Sequence, residues 1–170
     1  AYVIDTVLKD SGDKAISVGE GSQLVAANNL MMGNSIGVQA KDGSTAILFN
    51  HTMSENKKAL DSYKKNWRYN GGGEIFATKS FFINNSEQIT LDKHSEIQIF
   101  DSYLDGDVKP HKRLKLFGVD ARDRKKAMFP GEYLPPSRDL RTKIEDVFGP
   151  LNNAILINRN DNRRGTRPDG

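Results

Sequence analysis

A 22-residue repeat governs what this chain can fold into. It runs from the first residue to about Asp107, and four segments align, namely residues 15–22, 37–44, 59–66 and 88–95. The first two steps are 22 residues long and the third is 29, because residues 67–73 are inserted. A fixed period of this length is typical of stacked repeat architectures.

Apolar and polar residues alternate within each repeat. One apolar position is shared by Ile16, Val38, Leu60 and Ile89, and the next position carries Ser17, Gln39, Asp61 and Thr90. Alternation by two indicates a strand with one buried face. Two more extended stretches follow in each repeat, represented by Leu24, Ala46, Ile75 and Ile97, and then by Leu30, Thr52, Phe81 and Tyr103.

Three strands and three corners per repeat predict an all-β fold, a parallel β-helix of about five coils over residues 1–107. Strands of successive coils would stack about 4.8 Å apart, and Asn34, Asn56 and Asn85 would form a ladder at one corner. A helical-repeat solenoid is the competing interpretation. It is disfavoured because the alternation is by two and because Asn and Ser concentrate at the corners.

The insertion at residues 67–73 and the start of the chain both have a predicted place in this solenoid. An insertion is tolerated where it leaves at a corner, since the next coil resumes in register at Glu74.

Counting back 22 residues puts Tyr2, Ile4 and Leu8 on the second and third strands of an incomplete first coil. We therefore expect upstream coils, or a partner chain, to cover an open N-terminal end. A trimmed or disordered N-terminus is the alternative.

Composition changes where the repeat ends. Residues 108–170 carry 15 Lys and Arg against 8 Asp and Glu, whereas residues 1–107 carry 10 against 14. Residues 108–157 are expected to form a C-terminal extension with one short helix at residues 138–148, N-capped by Ser137, that caps the last coil. Residues 154–157 read as an edge strand, and residues 158–170 as a flexible basic tail. The chain has no cysteine and no apolar run long enough to span a membrane.

The insertion supplies the strongest binding candidates. Trp67, Arg68 and Tyr69 lie beside Lys64 and, on predicted neighbouring coils, Lys41 and Lys93. Aromatic rings stack on the apolar faces of sugars, and cations bind hydroxyl or carboxylate groups. The pattern therefore predicts a polysaccharide-binding surface. The alternative is a solvated loop whose tryptophan packs back on a coil.

Two predicted ladders flank the insertion, one formed by Gly19, Lys41, Tyr63 and Asp92 and the other by Glu20, Asp42, Lys64 and Lys93. Their simplest interpretation is a line of surface ion pairs.

A catalytic interpretation of the same surface has weak candidates only. Tyr63, Lys64, Lys65 and Arg68 are candidates for the base and the carboxylate-neutralising group of a β-elimination. Asp42 with Asp61 is a candidate carboxylate pair for glycoside hydrolysis, as is Asp61 with Asp92. Asp42 with Asp61 is also a candidate for holding Ca²⁺.

Other classes of site lack a signal in the sequence. The histidines His51, His94 and His111 are not spaced as metal ligands, so no metal site is predicted from them. The basic C-terminal part lacks a groove-reading or RNA-binding motif, which argues against a nucleic-acid partner. Apart from the candidate Ca²⁺ pair, no cofactor is predicted.

The segments 13–22 and 35–44, which read DKAISVGEGS and SIGVQAKDGS, resemble the repeats of right-handed parallel β-helix proteins, the pectate-lyase-like superfamily in its broad sense. The resemblance covers residues 1–107 and implies an extracytoplasmic, glycan-related protein, usually bacterial, in the cell envelope or outside the cell. No catalytic residue of that superfamily can be matched here. The first hypothesis is a module that binds or scaffolds contact with a polysaccharide. The alternatives are a polysaccharide lyase or glycosidase acting on an acidic glycan, and a tailspike or adhesin shaft.

Overall fold

The structure, a computed structural model, describes residues 1–119, and this part is all-β. The predicted helix at 138–148, the predicted strand at 154–157 and the basic tail lie outside the described residues. Within residues 1–119 there is no helix that is long and apolar enough to cross a membrane. The strands are β1 Tyr2–Ile4, β2 Val7–Lys9, β3 Lys14–Val18, β4 Gln23–Ala27, β5 Leu30–Met32, β6 Ile36–Lys41, β7 Thr45–Phe49, β8 Thr52–Ser54, β9 Lys58–Tyr63, β10 Glu74–Thr78, β11 Phe81–Ile83, β12 Glu87–Leu91, β13 Glu96–Phe100, β14 Tyr103–Leu104 and β15 Leu114–Phe117.

The strands form three parallel sheets, each of which takes every third strand up to β14. Sheet I has the order β3-β6-β9-β12, sheet II the order β1-β4-β7-β10-β13-β15 and sheet III the order β2-β5-β8-β11-β14. This arrangement is consistent with a parallel β-solenoid, and the predicted all-β parallel architecture is confirmed. When each 22-residue repeat contributes one strand to each sheet, neighbouring strands of a sheet are parallel and lie one repeat apart in the chain.

The strand register predicted from the repeat is confirmed in all three sheets. In sheet I, Val38 pairs with Ile16 on one side and with Leu60 on the other. In sheet II, Glu74 pairs with Thr45, so the register resumes after the insertion. Tyr2 pairs with Val25, as expected for a strand of an earlier repeat.

The core lies between the sheets and consists of the inward positions of the repeat. Leu48, Ile75 and Ile97 have no exposed surface, and the same holds for Leu60 and Phe82. Burying a side chain of this size stabilises the fold by about 1.5–3 kcal/mol. Because these residues recur at the repeat period, each repeat continues the apolar column of the one before it.

The corner between sheets II and III requires a left-handed backbone. Asn28, Asn50, Lys79 and Asp101 hold equivalent positions there and have φ between 42° and 54°. The side chains of successive repeats interact, since Nδ2 of Asn50 donates to Oδ1 of Asn28 at 2.7 Å and Nζ of Lys79 lies 3.2 Å from Oδ2 of Asp101. Asparagine and aspartate tolerate this conformation better than most residues, which explains their recurrence at the corner.

A buried polar ladder runs beside that corner. The N–H of Asn29 donates to Nδ1 of His51 at 3.2 Å, and the N–H of His51 donates to Oγ of Ser80 at 3.1 Å. His51 is 1% exposed. Burial lowers the pKa of His51 to about 4, although the backbone of Ala26 and of Asn29 favours the protonated ring. The imidazole is therefore neutral near pH 7.

The predicted asparagine ladder is present at the corner between sheets III and I. Oδ1 of Asn56 accepts from the N–H and from Nδ2 of Asn34, at 2.9 and 3.0 Å. Oδ1 of Asn85 accepts in the same way from Asn56, at 3.0 and 2.9 Å. Each side chain thus satisfies backbone groups at a buried corner, where an unpaired N–H would be costly.

Sheet II continues past Asp107, the predicted end of the repeat. Leu114 of β15 pairs with Ile97 of β13, a step of 17 residues instead of 22. The ring of Phe117 stacks on that of Phe100, with centroids 4.8 Å apart. Residues 114–117, which the sequence places in the C-terminal extension, therefore add a further parallel strand to sheet II.

Candidate functional site

Residues 64–73 join β9 of sheet I to β10 of sheet II, and we call them the corner loop. They include the insertion at 67–73. The equivalent connection one repeat earlier, residues 42–44, is a tight turn. The corner loop is therefore an excursion from a corner whose two flanking strands keep their pairing with β6 and β7.

Asp42 anchors the outgoing side of the corner loop. It is 1% exposed and has a φ of 54°. Its Oδ1 accepts from the N–H of Lys65 and from the N–H of Asn66, both at 2.7 Å. Hydrogen bonds to a carboxylate are about twice as strong as neutral ones. The charge of Asp42 is thus used to hold the backbone of the loop.

Asp92 anchors the same side from the next repeat. Its Oδ2 accepts from the N–H of Lys64 at 3.0 Å, while its Oδ1 accepts from the N–H of His94 and from Oγ of Ser95. Partial burial raises the pKa of Asp92, but the donors Lys64, Ser95 and His94 outweigh it, so that the pKa lies below its usual value. Asp92 is therefore a carboxylate near pH 7.

Two glycines return the corner loop to the sheet. The carbonyl of Gly72 accepts from the N–H of Gly43 at 2.8 Å, and the carbonyl of Gly73 accepts from Oγ of Ser62 at 2.8 Å. A β-carbon on Gly73 would lie 2.3 Å from the carbonyl carbon of Ala40. The backbones approach so closely that only glycine fits at this position.

Between these anchors the corner loop presents Trp67, which is 84% exposed. The guanidinium of Arg68 lies 5.8 Å from the centre of the Trp67 ring, within cation–π distance. The turn is fixed by Asn66, whose Oδ1 accepts from the N–H of Arg68 at 3.0 Å and whose carbonyl accepts from the N–H of Tyr69 at 3.3 Å. Tyr69 lies over Gly43 and is half-buried. An exposed indole on an anchored turn is available for stacking against a ligand.

The cations at this corner have no ion-pair partner within the described part of the chain. The ion pairs found there involve other lysines, and they leave Lys64, Lys65, Arg68 and Lys93 unpaired. The predicted ladder of Glu20, Asp42, Lys64 and Lys93 is not a line of ion pairs in residues 1–119, because Asp42 binds backbone N–H groups. The side chain of Lys41 runs over Gly19 of the preceding repeat.

Asp61 belongs to a separate polar cluster on the outer face of sheet I. It is 8% exposed; its Oδ2 accepts from Nε2 of Gln39 at 2.7 Å, and its Oδ1 accepts from Oγ1 of Thr90 at 2.5 Å. Nζ of Lys58 lies 3.6 Å from Oδ1. Asp42 and Asp61 therefore serve different donors. No group of three or more His, Cys, Asp or Glu side chains able to hold a metal ion occurs among residues 1–119.

The remaining candidates lie near the anchors. Tyr63 ends β9, pairs in register with Lys41 and is half-buried. Lys65 is exposed beside it, and Lys93 is exposed on the next repeat. The structure thus brings Trp67 and Arg68 into contact, and it places Lys64 and Lys65 directly after Tyr63 on the same corner.

Asn66 fixes the turn that carries Trp67, a role that the repeat pattern did not predict. The sequence feature that could have indicated this role is the type of residue, because an Asn side chain often accepts a hydrogen bond from the backbone N–H two residues later and so forms a turn.

Comparisons with known proteins give no family for this chain. No protein-family model matches it, and neither the curated proteins nor the solved structures contain a significant match. What the chain does has to be inferred from the chemistry of its own surface.

Proposed function

We propose that the chain forms an extracytoplasmic right-handed parallel β-helix of about five coils that binds a polysaccharide through the corner loop. The observation that carries the proposal is the exposure of Trp67, at 84%, directly after Lys65 and Asn66, whose backbone N–H groups are held by the buried carboxylate of Asp42. An exposed indole presents a large, rigid apolar face on which a ligand can stack. A setting in the cell envelope or outside the cell is part of this proposal.

A sugar ring is the ligand that suits this geometry best. One face of an aromatic ring takes the apolar C–H face of a pyranose, and cations nearby take its hydroxyl or carboxylate groups. Arg68 lies within cation–π distance of the Trp67 ring, which favours a fixed orientation of the indole. An extended chain of sugars would pass from Trp67 towards the lysines of neighbouring repeats.

The charge at the corner favours an anionic chain. Lys64, Lys65, Arg68 and Lys93 are unpaired within residues 1–119, while the nearby carboxylates of Asp42 and Asp92 accept hydrogen bonds from backbone N–H groups. The surface therefore offers cations to a ligand, while protein donors hold the carboxylates of Asp42 and Asp92. Uronate polymers supply carboxylates at the regular spacing that such a surface can use.

We favour binding over catalysis. The catalytic alternative, a lyase or glycosidase, needs groups free to exchange protons with the substrate. Asp42 accepts two backbone N–H groups and Asp61 accepts from Gln39 and Thr90, so both carboxylates already have protein partners. Tyr63, Lys64 and Lys65 remain the residues to test if turnover is found.

One panel of substrates tests both functions. The full chain is incubated with a uronate polymer and with a neutral polysaccharide, and each mixture is assayed for binding by affinity electrophoresis and for new unsaturated or reducing ends. Retardation by the uronate polymer without product supports the binding module. Product formation favours the enzyme, and the absence of both results contradicts a glycan-related role for this chain.

A further inference from the structure

The corner loop contains the one Asn-Gly pair in the sequence, Asn70-Gly71. Asn70 is exposed, and within the described residues neither Asn70 nor Gly71 makes a hydrogen bond. A β-carbon on Gly71 would meet no atom within 4 Å. The side-chain amide of Asn70 and the backbone N–H that follows it are therefore both unrestrained.

The asparagines of the corner ladders are in the opposite situation, because the N–H after each of them is already engaged. The N–H of Ser35, after Asn34, donates to the carbonyl of Ser11 at 3.0 Å. The N–H of Lys57, which follows Asn56, donates to the carbonyl of Asn34 at 3.0 Å.

Asn85 is restrained in the same way. The N–H of Ser86 donates to the carbonyl of Asn56 at 3.0 Å, and Nδ2 of Asn85 donates to the carbonyl of Met53 and to Oε1 of Gln88. A hydrogen-bonded N–H in a fixed backbone cannot turn towards its neighbour's side chain. The ladders thus protect their own asparagines.

We propose that Asn70 is a site of spontaneous deamidation that places a negative charge inside the sugar-binding corner loop. The backbone nitrogen of Gly71, after losing its proton to solvent base, attacks Cγ of Asn70. The new C–N bond closes a succinimide ring and the side-chain amide leaves as ammonia. Water then opens the ring at either carbonyl, giving aspartate or isoaspartate. Glycine permits this ring closure because it has no side chain to restrict the approach.

The consequence for binding rests on the proposed function. A carboxylate at position 70 lies three residues from Trp67 and two from Arg68, among cations that have no ion-pair partner in residues 1–119. It would compete with an anionic glycan for these cations. The site would then lose affinity with the age of the molecule, while the fold keeps its stability because the loop tip is exposed.

The reaction is tested on the full chain, aged at mildly alkaline pH and compared with fresh protein. Peptide mapping by mass spectrometry, together with enzymatic methylation of isoaspartate, locates converted residues without reference to any ligand. We expect conversion at Asn70 to be faster than at Asn34, Asn56 and Asn85. Gly71→Ala should slow it roughly tenfold, because a β-carbon hinders ring closure while the open space accommodates the fold. Retention of the Asn70 amide, or an unchanged rate in Gly71→Ala, would overturn the proposal.

The effect on binding is measured separately with two matched variants. Asn70→Asp carries the product charge, and Asn70→Gln keeps an amide that cyclises less readily. Against a uronate polymer we expect Asn70→Asp to bind several-fold more weakly than Asn70→Gln, with no difference on a neutral glycan. Equal binding of the two variants would overturn the charge effect while leaving the chemistry at Asn70 intact. Failure of the unaged wild-type chain to bind any glycan would instead contradict the proposed function.

Discussion

Oδ1 of Asp42 lies 2.7 Å from the backbone nitrogen of Asn66, although 24 residues separate them in the chain. This contact joins the corner of one repeat to the loop that leaves the next. Asp42 is buried and has a left-handed backbone, so its carboxylate reaches the first turn of the loop without a long side chain. The position of Trp67 depends on this anchor.

Replacing Asp42 by alanine should destabilise the chain. It removes both hydrogen bonds to Lys65 and Asn66 and leaves alanine at a φ of 54°. We expect a loss of about 2–4 kcal/mol, from two charge-assisted bonds and an unfavourable backbone. Urea denaturation measures it, and Asp42→Asn, which keeps an oxygen acceptor and tolerates the backbone, should lose less. Equal stability of Asp42→Ala and wild type would contradict the anchoring role.

Gly73→Ala and Gly71→Ala form a matched pair in the same loop. The first places a β-carbon 2.3 Å from the backbone of Ala40, and the second places one in open space. We expect Gly73→Ala to cost about 1–3 kcal/mol and Gly71→Ala to remain within about 0.5 kcal/mol of wild type. Thermal or urea unfolding distinguishes them, and similar stabilities would show that the close approach is not rigid.

Trp67→Ala should weaken glycan binding without affecting the fold. Because the side chain is 84% exposed, little stability depends on it. Loss of a stacking partner of this size should lower affinity about tenfold. Tyr2→Ala is the control, since Tyr2 is an exposed aromatic residue, at 52%, on strand β1 and outside the corner loop. The binding site lies elsewhere if both variants bind like wild type in affinity electrophoresis.

The unpaired lysines should account for the salt dependence of binding to an anionic chain. Lys65→Ala and Lys93→Ala should each lower affinity by up to about fivefold, as expected for exposed charge pairs of about 0–1 kcal/mol. The effect should fade as salt screens it. Lys57→Ala is the matched control, because Lys57 is exposed at a different corner. An equal effect of Lys57→Ala would indicate attraction by net charge instead of a site.

His51 should make the fold less stable in acid. Its pKa is about 4 in the folded chain against 6.5 in the unfolded chain, so between these values the unfolded state binds more protons. The stability contributed by a neutral His51 is intact above pH 6.5, declines as the pH falls and is lost by about pH 4. The total is about 3 kcal/mol, at about 1.4 kcal/mol per pKa unit.

His51→Asn isolates this contribution from that of the carboxylates. The equivalent position one repeat earlier is Asn29, so asparagine is compatible with this corner. The side-chain oxygen of the new asparagine could accept the hydrogen bond that the N–H of Asn29 donates to His51. Urea denaturation midpoints of both proteins are compared across this pH range. As the pH falls, the wild type should lose stability relative to His51→Asn. A constant difference in denaturation midpoint between the two proteins would show that His51 does not titrate on unfolding.

The strand register could be predicted from the sequence because it follows from the period. Ile16, Val38, Leu60 and Ile89 recur at matching positions, and parallel stacking pairs them directly. The insertion did not obscure the pattern, since Glu74 resumes it. The asparagine ladder was predictable for the same reason.

The anchoring of the corner loop could not be predicted in this way. Asp42 aligns with Glu20 and Lys64, which suggested a surface charge, but its partners are backbone N–H groups that have no signature in the sequence. The 17-residue step to Leu114 was also hidden, because it breaks the period that revealed the other strands. Contacts that depend on loop geometry and not on repetition were the ones that the sequence concealed.

The preserved pairing of Thr45 with Glu74 across the corner loop has an evolutionary consequence. Because the flanking strands keep their pairing around this insertion, changes of sequence or length between Trp67 and Gly71 should leave those strands in place. Selection can thus act on ligand preference and on folding almost independently at this corner. A lineage carrying this scaffold could acquire new specificities by changing a handful of codons, and a protein engineer could graft binding segments at the same place.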